Sequence, residues 1–228
     1  MLIAGKKTIA IVTGIVLCGA AIGVCAGIYA QSASAENGSP TIVIDAGHGG
    51  IDAGVYGVNT DVKESDINLA IAKELRGCFV NAGFNCVMTR STQAGLYGST
   101  SKGFKMRDMQ KRKEIIEECN ADMVISIHQN TCPLPSRRGS HVFYDPDSGS
   151  GKQLAECVQK YMNELSGGVE SNTALAGDYY MLKCTASPSI LVECAFLSNA
   201  EDEQLLCDAD YRGEIAYAIF KGVVYYMS

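Results

Sequence analysis

Two apolar, β-branched runs each stop on a histidine, and this pairing constrains the fold more than any other feature of the chain. The first is Thr41-Ile42-Val43-Ile44-Asp45-Ala46-Gly47-His48, and the second is Met123-Val124-Ile125-Ser126-Ile127-His128. Runs of this composition pack as buried strands, and each passes from its imidazole directly into a polar loop. Open α/β sheets form their sites outside the carboxyl ends of their strands. Neutral imidazole is also the commonest metal ligand. The chain has only three histidines, so two of them at strand ends point to a metal site.

The remaining pattern alternates strand and helix. Strand-like runs fall at 41–46, 84–89, 123–127, 140–144, 179–182 and 189–193. Helical periodicity falls at 65–82, 106–119, 152–165 and 211–227, with a short helix at 201–207. Such alternation predicts a three-layer α/β/α single domain with a mostly parallel, roughly six-stranded sheet. The Gly/Ser-rich stretch 95–103 reads as a mobile surface loop flanking a cleft.

Ahead of this domain, Lys6 and Lys7 precede a long apolar stretch that ends near Ala33-Ser34-Ala35, a small-residue cleavage pattern. Residues 1–35 are therefore expected to be a signal peptide or an N-terminal membrane anchor, residues 36–40 a linker, and residues 41–228 the catalytic domain. Either reading places the protein outside the cytoplasm, secreted or held by its apolar segment. The net charge is −6, and without a basic stripe nucleic-acid binding is excluded. Eight cysteines follow the leader, none in a C-x-x-C pair. A thiolate zinc site is not expected, and spacing reveals no disulfide pairing.

A catalytic zinc site needs three protein ligands and one open position. His48 and His128 supply two. Glu64, ahead of the first long helix with Ser65 or Asp66 as its cap, is the choice for the third. Glu193, closing Ile190-Leu191-Val192-Glu193, is the candidate general base, because a carboxylate ending a buried strand requires a partner. Cys194 should point to the opposite face. Asp45 either orients a ligand imidazole or caps a turn. Arg112 lies on a basic helix and reads as part of a solvated face, with contact to a substrate carboxylate or to an acid behind the ligands as the alternative. His141 reads as structural. Tyr179 and Tyr180 read as core residues, with stacking on sugar rings as the alternative.

Four ordered motifs carry a family resemblance: Ile44-Asp45-Ala46-Gly47-His48-Gly49-Gly50, Lys63-Glu64-Ser65-Asp66-Ile67-Asn68-Leu69, Ser126-Ile127-His128-Gln129-Asn130, and Val192-Glu193-Cys194-Ala195-Phe196-Leu197-Ser198-Asn199. Together they resemble the zinc-dependent N-acetylmuramoyl-L-alanine amidases of the type-3 family. The resemblance implies one Zn2+ held by His48, Glu64 and His128, with Glu193 as catalytic carboxylate. It also implies hydrolysis of the amide between N-acetylmuramic acid and L-alanine of the peptidoglycan stem peptide. Asn130 and Arg112 are further candidates for contacts behind the ligands or to substrate. Ala195 and Ser65 depart from the family's usual Gly and Lys. The compact chain is similar to the family's germination-specific sporulation members. That implies a role in spore cortex maturation in the space around a forespore, with a peptidoglycan deacetylase consuming the product to form muramic δ-lactam. The alternatives are a vegetative cell-wall amidase, a zinc carboxypeptidase or deacetylase on a similar fold, and a non-catalytic wall-binding protein.

Overall fold

Strand β1 (Thr41–Ala46) lies near the middle of a six-stranded sheet and divides its side chains between two faces. A computed structural model describes residues 38–165 and 171–228. The expected leader and the first two residues of the linker, residues 1–37, lie outside the described residues. After β1 come α1 (Glu64–Asn81), β2 (Asn85–Met88), α2 (Phe104–Glu118), β3 (Met123–Asn130), β4 (His141–Tyr144) and α3 (Gly149–Leu165). The chain continues through β5 (Leu175–Ala176), a 3-10 turn (Tyr180–Lys183), β6 (Ser189–Phe196), α4 (Ala200–Cys207) and α5 (Ala209–Met227). The sheet order is β2-β1-β3-β6-β4-β5. Only the β4–β6 pairing is antiparallel. The α/β alternation and the mostly parallel sheet therefore match the expectation.

Alternation along each strand explains the layering. Ile42, Ile44 and Ala46 of β1, Met123, Ile125 and Ile127 of β3, and Ile190, Val192 and Cys194 of β6 join one core. That core is closed by Ile67, Ile71, Leu75 and Phe79 of α1, Leu154 and Val158 of α3, and Ile215, Ile219 and Val223 of α5. The other face is apolar only toward the amino ends of its strands. There Val43 and Val124 meet Ile116 of α2 and Met181 and Cys184. Farther along the same face the sequence turns polar, at Asp45, Ser126, His128 and Glu193. Cys194 lies in the larger core, as expected from its parity with respect to Glu193.

Topology locates the opening. From β1 the chain crosses by α1 to β2 on one side, and then by α2 back past β1 to β3 on the other. The strand order reverses between β1 and β3, and a crevice forms outside their carboxyl ends. Both histidine motifs end there.

Three local expectations are corrected. Residues 180–183 form a 3-10 turn, while the short edge strand is Leu175–Ala176. Helix α1 starts at Glu64 itself, with Lys63 as a cap that makes no side-chain bond. Neither Ser65 nor Asp66 is needed there, because the first-turn amides of Glu64 and Ser65 donate to the carbonyls of Val55 and Ala53. The stretch 95–103 is also tethered: the Arg107 guanidinium donates to the carbonyls of Tyr97, Ser99, Ser101 and Lys102. All eight described cysteines are free.

The turn after β1 is secured by two buried arginines, Arg90 and Arg112, 3% and 1% exposed. Arg90 donates to the carbonyls of Ala46, Gly47 and Ser65, each at 2.8 Å. Arg112 donates to the carbonyls of Ala46 (2.7 Å) and His48 (2.6 Å), and to the carboxylates of Asp45 and Asp108. Asp45 is wholly enclosed and also accepts the hydroxyls of Thr89 and Ser126, each at 2.7 Å. Burial alone would raise its pKa. The Arg112 charge and the two hydroxyls outweigh burial and bring it down to about 2.

Removing one partner of a buried pair leaves an uncompensated charge. Arg112→Met should therefore cost about 3–5 kcal/mol of unfolding free energy, measured by urea denaturation at neutral pH. An unchanged midpoint would show that the pair is not structural. Because folding depresses the Asp45 pKa, its stabilisation is complete above the unfolded value of about 3.9 and is lost as pH falls toward about 2. A stability series from pH 6 to pH 2 should show wild type losing its advantage over Arg112→Met across that interval.

Candidate metal and catalytic site

His48 and His128 reach the crevice from neighbouring strand ends, and Glu64 meets both from the start of α1. The Glu64 Oε1 atom lies 3.2 Å from His48 Nε2 and 2.9 Å from His128 Nδ1. The two rings stand edge to face, with centroids 5.0 Å apart. One ligand atom from each of the three residues lies within 4.8 Å of the others. Tetrahedral ligands 2.0–2.1 Å from a zinc ion stand about 3.3 Å from one another, so the set has the compactness that such an ion requires.

The local backbone is shaped for this convergence. His48 has φ of 61°, a left-handed conformation that costs a non-glycine residue on the order of 1–3 kcal/mol. The Arg112 bond to its carbonyl helps to hold it there. Gly47 and Gly54 permit close approach, since a Cβ at Gly47 would collide with the His128 ring and one at Gly54 with the Glu64 carboxylate.

The ligand candidates are themselves braced. Asp52 accepts from His48 Nδ1 at 2.9 Å, which leaves Nε2 facing the centre. Metal-binding imidazoles are oriented in this way by a carboxylate on the far nitrogen. Glu64 also accepts from the Val55 and Gln129 amides and from Asn68 Nδ2. Asn68, fully buried one turn along α1, ties the group to the Gly47 carbonyl and to Gln129.

The electrostatics favour positive charge at the centre. Burial works against ionisation of Glu64, but hydrogen bonds from His128 and His48 outweigh it and hold the carboxyl well below its usual range. His48 is pushed down by burial, yet Glu64 and Asp52 draw it above its ordinary value. Carboxylate and imidazoles arranged in this way offer a cation a ready counter-charge.

Glu193 sits beside this group, paired in register with His128. Its Oε2 atom is buried and has no hydrogen-bond partner among the described residues. Burial raises its pKa to about 7, against the opposing pull of His128. A buried, unpartnered carboxylate oxygen next to a His-Glu-His cluster is the observation that most strongly calls for a water and an ion in the cleft.

The cleft encloses about 390 Å³ and is lined by these residues together with Tyr97, Phe104, Lys105, Tyr179 and Tyr180. Of the sequence candidates, His48, Glu64, His128 and Glu193 come together. Asp45 lies one layer below and touches no imidazole; it binds Arg112, and Asp52 orients His48 instead. Arg112 is a buried brace rather than part of a solvated face, because its donors are directed at the carbonyls of the β1 turn. Asn130 does not line the cleft. The β3–β6 register shifts between His128 and Asn130, and the Asn130 side chain accepts from the next residue's amide. Tyr179 and Tyr180 form a cleft wall rather than core. His141 is buried on β4 against Phe196.

Arg90, Asp52 and Asn68 were not singled out by sequence reasoning. Each carries a faint signal: Arg90 follows the end of β2, Asp52 lies four residues after His48, and Asn68 lies four after Glu64 on one helical face.

Known proteins share this sequence pattern and fold. The sequence model of the family Amidase_3, N-acetylmuramoyl-L-alanine amidase, matches residues 42–225. The germination-specific N-acetylmuramoyl-L-alanine amidase of Bacillus subtilis is 30% identical over 193 residues, covering 82% of this chain and 79% of that one. The amidase LytC of the same organism is 32% identical over 188 residues, 82% of this chain and 35% of LytC. Among solved structures, the CwlD amidase of Clostridioides difficile, in complex with the GerS lipoprotein, superposes with a TM-score of 0.80 at 36% identity. The match covers 83% of this chain and 98% of that one. The chain thus belongs to the N-acetylmuramoyl-L-alanine amidase family, whose reaction is hydrolysis of the bond joining N-acetylmuramic acid to L-alanine in peptidoglycan.

Proposed function

We propose that residues 41–228 are the catalytic domain of a zinc amidase in which His48, Glu64 and His128 hold one Zn2+ and Glu193 moves the proton. The observation that carries this reading is the buried, unpartnered Glu193 oxygen beside the convergent His-Glu-His group. Two imidazoles and one carboxylate are a donor set that suits zinc and leaves one position open. When bound there, the ion supplies a water of lowered pKa and a Lewis acid for the amide carbonyl.

The chain's own residues supply the rest. Asp52 keeps the His48 tautomer with Nε2 inward. Glu193 Oε2 takes a proton from the attacking water and delivers it to the leaving nitrogen of L-alanine. The C–N bond breaks, the lactyl carbon gains the water oxygen, and the stem peptide departs with a free amine. Enclosure by Leu191 and the tyrosine wall limits bulk water around Glu193.

The test is mass spectrometry of peptidoglycan treated with the full zinc-loaded chain, with and without a chelator. Stem peptides with a free L-alanine amine, lost under chelation, are expected. Cuts elsewhere in the peptide or loss of acetyl groups alone would reassign the enzyme. Glu193→Gln should retain about one zinc per chain by metal analysis while losing at least 10²-fold in turnover, roughly the worth of a positioned general acid–base. Full activity in that variant would remove Glu193 from the mechanism.

The likeness to the germination-specific relative supports a role in spore cortex, with residues 1–35 delivering the chain outside the cytoplasm as a signal or anchor. A deacetylase acting on the exposed muramic acid would follow it to form δ-lactam. Deletion of the gene should abolish muramic δ-lactam in spores. Normal δ-lactam with altered vegetative wall turnover would favour the vegetative reading.

A further inference from the structure

Two basic side chains line the cleft, and only one of them faces a substrate. Arg112 is 1% exposed and turns its donors inward, to Asp45, Asp108 and the carbonyls of Ala46 and His48. Lys105, the second residue of α2, has its side chain 65% exposed and holds its ammonium 2.9 Å from Asp52 Oδ1. An ammonium has three donors, and the salt bridge to Asp52 engages one of them. Asp52 is the carboxylate that also braces His48, so Lys105 stands one side chain away from the reacting centre.

The other charges around the cleft are already matched. Arg112 neutralises Asp45 and Asp108, and Glu64 is held by His48 and His128, so of the lysine and arginine side chains lining the cleft it is Lys105 that can present an ammonium to an entering carboxylate at the rim. The opposite wall is Tyr179, Tyr180 and Met181 and offers no cation. The scissile amide must sit over His48, His128 and Glu193. In an extended chain a carboxylate on the residue after L-alanine then falls about 7 Å, two residue steps, from the leaving nitrogen, a distance that a flexible four-carbon lysine stem suits.

We propose that Lys105 recognises a free carboxylate on the stem-peptide residue joined to L-alanine, so that the enzyme distinguishes stems carrying that carboxylate from stems in which it is amidated. This rests on the amidase reading above and names the part of the substrate that the same site selects. Asp52 aims the ammonium and keeps it from folding back into solvent. The pairing is a rim contact between solvated charges, worth up to about fivefold in kcat/KM.

The experiment uses the full zinc-loaded chain and glycan strands bearing L-Ala-D-Glu stems, compared with the same strands whose D-Glu α-carboxyl is amidated. Wild type should prefer the free acid by about fivefold. Lys105→Met should bring the ratio close to one by losing rate on the acid alone, and Lys105→Arg should restore most of it. Raising the salt concentration should shrink the wild-type ratio and leave that of Lys105→Met unchanged. An equal loss on both substrates in Lys105→Met would mean that Lys105 serves only to position Asp52 and His48, and would overturn the proposal. So would a wild-type ratio of one. If Lys105 instead held the lactyl carboxylate released by cleavage, Lys105→Met would relieve inhibition by N-acetylmuramic acid with the acid-to-amide ratio intact. Failure of wild type to cleave either strand would strike the amidase reading itself.

Discussion

The site depends on how the chain leaves β1. Three successive residues, Ala46, Gly47 and His48, turn their carbonyls toward two buried guanidinium groups. Such carbonyls, exposed as the strand ends, would otherwise need water. Arg90 and Arg112 replace that water with fixed donors. A planar guanidinium suits this task because its several N–H groups diverge in one rigid plane. The turn thereby holds His48 at a positive φ, and His48 in turn projects its imidazole toward His128 and Glu64. Asp45 supplies the compensating charge beneath, which allows an arginine to be almost completely enclosed.

Above that brace the charges are arranged in layers. Asp45 and Arg112 neutralise one another below the cleft floor. Glu64, His48 and His128 form the next layer, where the balance favours holding an added cation. Glu193 lies to the side, where burial keeps its carboxyl from ionising as easily as an exposed one. Two carboxylates within one cleft are thus driven in opposite directions by their surroundings. Glu64 is stabilised as an anion by imidazoles and amide donors, whereas Glu193 has an oxygen with nothing to accept from among the described residues. This divergence is what allows one carboxylate to bind and the other to carry a proton.

Much of this was legible in sequence because it follows from strand periodicity. The runs into His48 and His128 declare buried strands, and their carboxyl ends declare the crevice. Parity separates Glu193 from Cys194, and the structure places Cys194 in the larger core. Arg112 was less legible. It lies among lysines on a polar helix, and nothing local distinguishes a brace reaching 67 residues back to Asp45 from a solvated cation. Asn130 came with the His128 motif rather than from any contact the sequence could express. The β3–β6 register shifts between His128 and Asn130, and Asn130 is not among the residues lining the cleft. The start of α1 was misplaced because its amides are satisfied by loop carbonyls rather than by a side-chain cap.

Sequence alone therefore determined the α/β alternation and the strand ends on which His48, His128 and Glu193 stand, because these depend on periodicities of two and 3.6 residues that neighbours in the chain express, while Glu64 was identified by its place ahead of the first long helix and by the four ordered motifs. Tertiary structure alone decided which groups brace them: Arg90 and Arg112 on the turn, Asp52 on His48, Asn68 between α1 and β3, and Lys105 at the rim. Most of these contacts join residues far apart in sequence. Hydrogen-bond partners of buried carbonyls and carboxylates are chosen by proximity in space, which no local pattern encodes.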